Sequence, residues 1–536
     1  MASNKRNRVD GQLSKEAYEA QEYDSEEQPV IFCGVFSKAT PGTLASRRMV
    51  SSKVVNKKSE FIRHISALNV SFFEWFQSQY EADKHADMRD GVQDYIDYVN
   101  QLQDRYLKEY GEVLTFGSGD CGQLAHGVEE DEDLMVKFPR IVYSLRDKRV
   151  CGISCGGIHN AVFTDDGLVY TWGCSDDGSL GRPGDEATPL LVEGLDSETI
   201  IGVACGDGQT IAVSTSGSVW GWGCYKDKEG KKWFNPSETA LVQHKDIKKQ
   251  QNTPIRIQGI SGAVDIACGS VCNLARCDDG QLYSWGLGEC GELARAVPPL
   301  RKDGEYDLEG MLKHHLTPGP MYTSESSKTP VRNAKSIGCG SYHCFVVVVT
   351  ESAGMEVISD DAHSGATVLT CGLNNYGQLG LGEDNTTNMS YLTEIPSLQE
   401  KGVVSLQGGA HHSLALTSSG QVYAFGRGDS GQLGVKAMSK NTAGDFSSVP
   451  LEVDLGDMKV VSIACGANHN LAVTSGNEIY SWGYGDMLAL GHGKEKDESV
   501  PKRMNFDHSK IDRINVTQVS GGGQHSAVIG SVLTTI

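Results

Sequence analysis

The sequence predicts an all-β fold, a seven-bladed β-propeller preceded by a disordered tail and a small helical segment. Three observations predict it. One sentence of residues recurs along the chain: C-G-G-I-H then L-V-Y-T-W-G from Cys155, with copies from Cys205, Cys268, Gly408 and Cys465. A period of about fifty residues or more marks a propeller or solenoid array. The 63 glycines and short aromatic, β-branched runs among 536 residues suit many strands and tight turns. Finally, the aromatic-glycine half-repeat ends at Gly117, Gly173, Gly223, Gly286, Gly372, Gly426 and Gly483, and a histidine half-repeat falls near His159, Gln209, Cys272, His343, His412, His469 and His525. The two series are out of phase, so the chain opens on one half and closes on the other. Pairing those halves in one blade closes the ring and leaves no free sheet edge.

Taken in order, residues 1–55 mix basic and acidic clusters with little apolar surface, which is too little to offset chain entropy, and we read a disordered tail. Its basic residues Lys5, Arg6, Arg47 and Arg48 are candidate import-receptor contacts. From residue 56 to 110 the pattern turns helical. Phe61, Ile62, Ile65, Leu68, Phe72, Trp75 and Phe76 form one stripe, and Tyr95, Ile96, Tyr98, Val99, Leu102 and Tyr106 a second. Two facing stripes predict a helical hairpin, either a scaffold for the propeller or a docking module. Residues 111–536 carry the repeats. Asp-Asp-Gly at 165–167 and 278–280 signals tight hairpins.

The formal net charge of −21 disfavours direct DNA binding, which needs lysine and arginine to release counterions, and suits a basic partner surface. Five of the 15 cysteines (Cys155, Cys205, Cys268, Cys339, Cys465) occupy one repeat column, the mark of small core residues. With no signal-peptide pattern, we expect free thiols in a reducing compartment. No zinc site is expected, because Cys151 and Cys155 lack a second pair at finger spacing. No apolar run approaches membrane-spanning length. Neither a nucleophile elbow nor a phosphate-binding loop appears, so we expect no covalent chemistry and no cofactor.

The segment with Lys5-Arg6, V-F-S-K-A-T at 35–40, R-R-M-V-S-S-K at 47–53, L-N-V-S-F-F-E-W at 68–75 and D-Y-I-D-Y-V at 94–99 resembles the start of the fifty-kilodalton nuclear-basket nucleoporin. That resemblance implies importin-α binding. Over residues 111–536, S-G-D-C-G-Q-L at 118–124, G-C-S-D-D-G-S-L-G-R at 173–182, L-N-N-Y-G-Q-L-G at 373–380 and S-G-G-G-Q-H-S at 520–526 resemble the regulator of chromosome condensation family. This implies a nuclear exchange factor for the GTPase Ran that supports transport, spindle and nuclear-envelope assembly, with nucleosomal histones as a further partner.

By the same resemblance, Asp120, His159, Asp207, Arg295, His411 and His525 face the GTPase, and Arg295 is expected to be exposed. The insert Y-K-D-K-E-G-K-K-W-F-N-P (225–236) takes the place of the family's nucleotide-displacing wedge, with Tyr225, Lys226, Asp227, Lys228, Glu229 and Gly230 as its loop. The histidines also belong to the repeat, so each has a structural alternative, whereas His411 stands outside the column occupied by His412. One position departs from the family. Val271 stands where a functional aspartate is expected, so a neighbour such as Asp278 or Glu289 compensates, exchange is weakened, or the protein only binds. A non-catalytic nucleoporin-like scaffold and an exchange factor for another small GTPase remain as alternatives.

Overall fold

The computed structural model describes residues 111–127, 134–236, 247–295, 314–327, 329–349, 366–383, 385–438, 444–506 and 513–533. The tail with Lys5, Arg6, Arg47 and Arg48, the expected helical hairpin, and most of the two larger inserts (about 298–330 and 351–366) lie outside these residues.

Each repeat becomes one four-stranded antiparallel sheet, and there are seven such blades. The first blade runs Val150–Cys155, His159–Thr164, Val169–Gly173 and Leu190–Leu191. The second to sixth begin at Ile200, Ala263, Ala334, Val403 and Val460. The seventh takes Arg513–Gly521 and His525–Leu533 from one end of the repeat region and Glu112–Ser118 and Met135–Ile141 from the other, paired edge to edge through Glu112↔Gly530 to Gly117↔His525.

Within a blade, both faces of the second strand are covered and the strand is wholly buried, as in His469–Thr474. Two features of the repeat then fix the turns. The aspartate-glycine hairpins place Gly167 and Gly280 at φ 81 and 77, a left-handed geometry where a side chain is strained. The glycine after each repeat cysteine is forced by crowding instead: at Gly466 an added Cβ would stand 2.1 Å from the His469 ring.

Large residues fill the space between blades. Trp172, Trp222, Trp285, Trp482, Phe116 and Phe425 are fully buried in one repeat column. Trp172 and Trp482 donate their indole N–H to Gln123 and Gln432 backbone oxygens at 2.9 and 3.0 Å, each in the preceding blade's loop. The first strand of every blade lines a central channel of about 540 Å³. Among the described residues no helix is long and apolar enough to cross a membrane.

Candidate functional site: one face of the ring

Antiparallel order sorts the loops. Connections between strands one and two, and between three and four, emerge on one face; the others emerge on the opposite face. Asp120, Asp207, Arg295, His411 and the 225–236 insert therefore share one face, with His159 and His525 at its strand ends. Asp278 lies in the turn between Cys272–Cys277 and Leu282–Gly286, at the opposite end of its blade. It cannot stand in for a residue at Val271, whereas the exposed Glu289 lies on the same face.

Two closed circuits stiffen that face. At the channel mouth the backbone N–H of Gly157, Asp207, Ser270, Ser341, Ala410, Ala467 and Gly523 each donates to a carbonyl of the next blade, ending with Gly523 on Gly157 at 3.2 Å. Just beneath runs a circuit of side chains. His159, His343, His412, His469 and His525 each place Nε2 at 2.7 to 3.0 Å from Thr210, Ser413, Asn470, Ser526 and Asn160 respectively. Gln209 donates to the Gly269 carbonyl at 3.0 Å, and the Cys272 thiol meets the Cys344 thiol at 3.9 Å.

These geometries correct several expectations. His159 and His525 have no exposed surface, and burial pulls them down to about 4 and about 3, so they stay neutral and hold blades together. They offer no side chain to a partner. Arg295 is not free on the surface either. Its guanidinium donates to the Thr317 carbonyl at 3.0 Å, to His315 at 3.3 Å and to His314, which ties down the return of the third-blade insert.

Asp120 is exposed. Asp207 is exposed at the channel mouth and is the single acid in a column otherwise filled by glycine, serine and alanine. Protein crowding on its channel side raises its carboxyl above the ordinary value. Gly157 leaves room for it, because a Cβ there would lie 2.9 Å from Asp207 Oδ1. His411 is half-buried and packs edge-on against Tyr376 at 5.1 Å; burial and then Arg427 lower its pKa. Arg427 caps the same Tyr376 ring at 5.4 Å while pairing with Asp429 at 2.8 Å.

The insert is a two-stranded hairpin, Tyr225–Lys226 with Lys232–Trp233. Tyr225 is its anchor rather than part of its tip: it is 3% exposed, stacks on Phe234 at 5.9 Å and hydrogen-bonds Asn273 in the next blade. Two of its four lysines are also committed to the base. Lys226 and Lys232 grip Asp177 of the preceding blade at 2.6 and 2.9 Å. Burial alone would raise the Asp177 carboxyl; the two ammonium groups outweigh it and hold it below the ordinary value. The turn is ordered by Asp227, which accepts from the backbone N–H of Glu229 and Lys231 and from the Trp233 indole at 2.9 to 3.0 Å. What remains at the tip is exposed Lys228, Glu229, Gly230 and Lys231. Beside the hairpin, Val271 is buried in the apolar cluster that holds Tyr225 and Phe234.

A family model described as the RCC1-like domain matches residues 112–528. The chain belongs to that family. Its relatives include the human regulator of chromosome condensation, 31% identical over 433 residues, covering 78% of this chain and 91% of that one. The guanine nucleotide exchange factor SRM1 of Saccharomyces cerevisiae is 27% identical over 466 residues, covering 79% and 88%. Among solved structures, Prp20p from Saccharomyces cerevisiae, reported with its binding properties to Gsp1p and histones, aligns with a TM-score of 0.66 at 25% identity over 81% of this chain and 95% of that one. Yeast RCC1 (Prp20) bound to Kap60 aligns at 0.65 and 26% identity, covering 81% and 92%.

Sequence reasoning missed Asp177 and Phe234. Their signal was present: the first blade carries an acid doublet, Asp176-Asp177, and Phe234 mirrors Tyr225 across the insert.

Proposed function

We propose that this chain is a guanine-nucleotide exchange factor for the small GTPase Ran, acting in the nucleus to keep Ran loaded with GTP. The observation that carries the reading is the hairpin pinned at its base by Tyr225, Phe234 and the Asp177 ion pairs, standing on the face that bears Asp207 at the channel mouth. An exchange factor makes no covalent bond. It binds the nucleotide-free GTPase more tightly than the loaded one, and that difference in affinity expels the nucleotide. Two things are required. The contacting face must not relax when the partner does, which two closed hydrogen-bond circuits favour. A projecting element must also compete with the nucleotide for its seat, a task suited to the ordered, lysine-bearing tip. Release of fluorescent GDP from purified Ran tests this; acceleration that rises with the concentration of this protein is expected.

Val271 favours a second reading, a scaffold that binds Ran without promoting exchange, since a buried valine makes no ionic contact. Capture of Ran by the immobilised protein with no faster GDP release would select it. Residues 1–55 would add importin-α binding, placing cargo release where Ran-GTP is made. Deleting them should abolish importin-α pull-down while leaving GDP release intact. Histones suit the −21 net charge as a further, basic partner better than bare DNA does.

A further inference from the structure

One blade boundary breaks the repeat in a coordinated way. Between the third and fourth blades, the histidine column holds Cys272, the column that elsewhere carries Asn160, Thr210, Ser413 or Ser526 holds Cys344, and the tryptophan column holds Cys371. These join Cys339, the ordinary repeat cysteine. Strand register stacks three of them in a row across the fourth blade, Cys339↔Cys344 and Cys344↔Cys371, and Cys272 approaches from the third. The sulfur of Cys344 lies 3.9 Å from that of Cys272 and 3.7 Å from that of Cys339. All three sulfurs fall within 4.8 Å of one another, and all three residues are buried.

A fourth column changes at the same place. The turn position held by Gln123, Gln378 and Gln432 in other blades holds Glu292. Its Oε2 keeps the turn bond to the Cys290 backbone N–H at 2.8 Å, as the glutamines do, but its Oε1 is buried with no hydrogen-bond partner. Its backbone oxygen accepts from the Cys371 thiol at 3.5 Å, where other blades receive an indole N–H. A buried carboxyl oxygen left unanswered costs folding free energy.

We propose that Cys272, Cys339 and Cys344 supply three ligands to one zinc ion between the third and fourth blades, the Glu292 carboxyl lying outside that 4.8 Å group. Zinc–thiolate bonds of about 2.3 Å in a tetrahedron put sulfurs about 3.8 Å apart, which is the spacing of the two sulfur pairs made by Cys344, with the third pair inside 4.8 Å. Zinc replaces the side-chain link of the other boundaries, histidine to a hydroxyl or an asparagine at five and Gln209 to a carbonyl at one, and binding sends the three thiol protons to solvent. Finger-type spacing gave no hint of it, because the ligands come from two blades about seventy residues apart in sequence. Cys339 sits on a strand lining the central channel, which gives the ion a way in.

The test uses the full chain produced with zinc supplied, desalted, and assayed for metal by mass spectrometry. About one zinc per chain is expected. Exchange with Co²⁺ should give the visible bands and thiolate charge-transfer absorption of tetrahedral sulfur coordination. Cys344→Ser should lose both, and Cys465→Ser, a half-buried repeat cysteine in another blade, should keep both. Wild-type protein that takes up neither metal overturns the proposal without reliance on any variant. So does zinc retained unchanged in Cys344→Ser, or an intact mass two hydrogens light from a disulfide among these cysteines.

Discussion

The histidine circuit and the 225–236 hairpin occupy the same face, yet they do opposite work. The circuit is built on a column that is histidine in five of the seven blades, lies buried, and turns each histidine Nε2 to the neighbouring blade. The hairpin occurs once, buries only its base, and leaves its tip in solvent. The lesson is that a repeated residue in such a ring answers a need that every blade has, whereas a departure from the repeat is free to serve a partner or a ligand. Asp207, His411 and the four-column change at Cys272 are departures of this kind.

Four experiments separate these roles. The largest effect should come from replacing the tip, residues Asp227–Lys231, by a short glycine link. If the hairpin displaces nucleotide, GDP release should fall by up to about a hundredfold, the upper range of coupling between two sites. The thermal midpoint should stay within a degree or two, because Tyr225 and Phe234 keep the base packed. Trp482→Ala and His469→Ala probe the circuit side. The tryptophan should cost about 3–5 kcal/mol for its cavity. The histidine should cost about 1–3 kcal/mol for its lost bond to Ser526 Oγ, which keeps only its donation to the Ala489 carbonyl, and for lost packing. Denaturant titration reads both, and GDP release per folded molecule should fall far less than in the tip-replaced protein, because the remaining links still hold the face.

A smaller effect is expected at Asp177→Asn, which takes the ionic partner from Lys226 and Lys232, leaves Lys232 its bonds to the Asp176 carbonyl and Gln250, and loosens the hairpin base. GDP release should drop by roughly three- to tenfold, about 1 kcal/mol, with a weaker salt dependence than in the parent protein. The last response is absent at neutral pH and appears only in acid. Burial holds His159 and His412 at about 4 and His343, His469 and His525 at about 3. These lie below the unfolded value of about 6.5, so acid protonates the unfolded chain first. Their contribution is complete above about pH 6.5 and is lost as pH falls towards 4 and 3. His159→Gln, which copies the natural Gln209, should flatten this slope in denaturant titrations run from pH 7 to 4.

The ring itself was legible because seven copies of one sentence leave little freedom in strand number, turn position or closure. The roles of His159 and His525 were not, since a periodic residue looks the same in sequence whether it faces a partner or the next blade. Only the Thr210 and Asn160 contacts decide. Arg295 misled for another reason: its carbonyl partners at His315 and Thr317 lie beyond a long insert, where local reading has no reach. The hairpin was legible as an insert but not as a lever. Its footing depends on Asp177, about fifty residues earlier in sequence. Val271 reads the same at both levels, a valine in an apolar cluster where the family resemblance asks for charge.

That position makes one measurement decisive: the rate at which fluorescent GDP leaves Ran as this protein is added, with the tip-replaced protein alongside. The account predicts a rate that climbs and saturates with the intact chain and barely moves with the altered one. Equal rates with and without the intact protein would contradict it, as would equal acceleration by both.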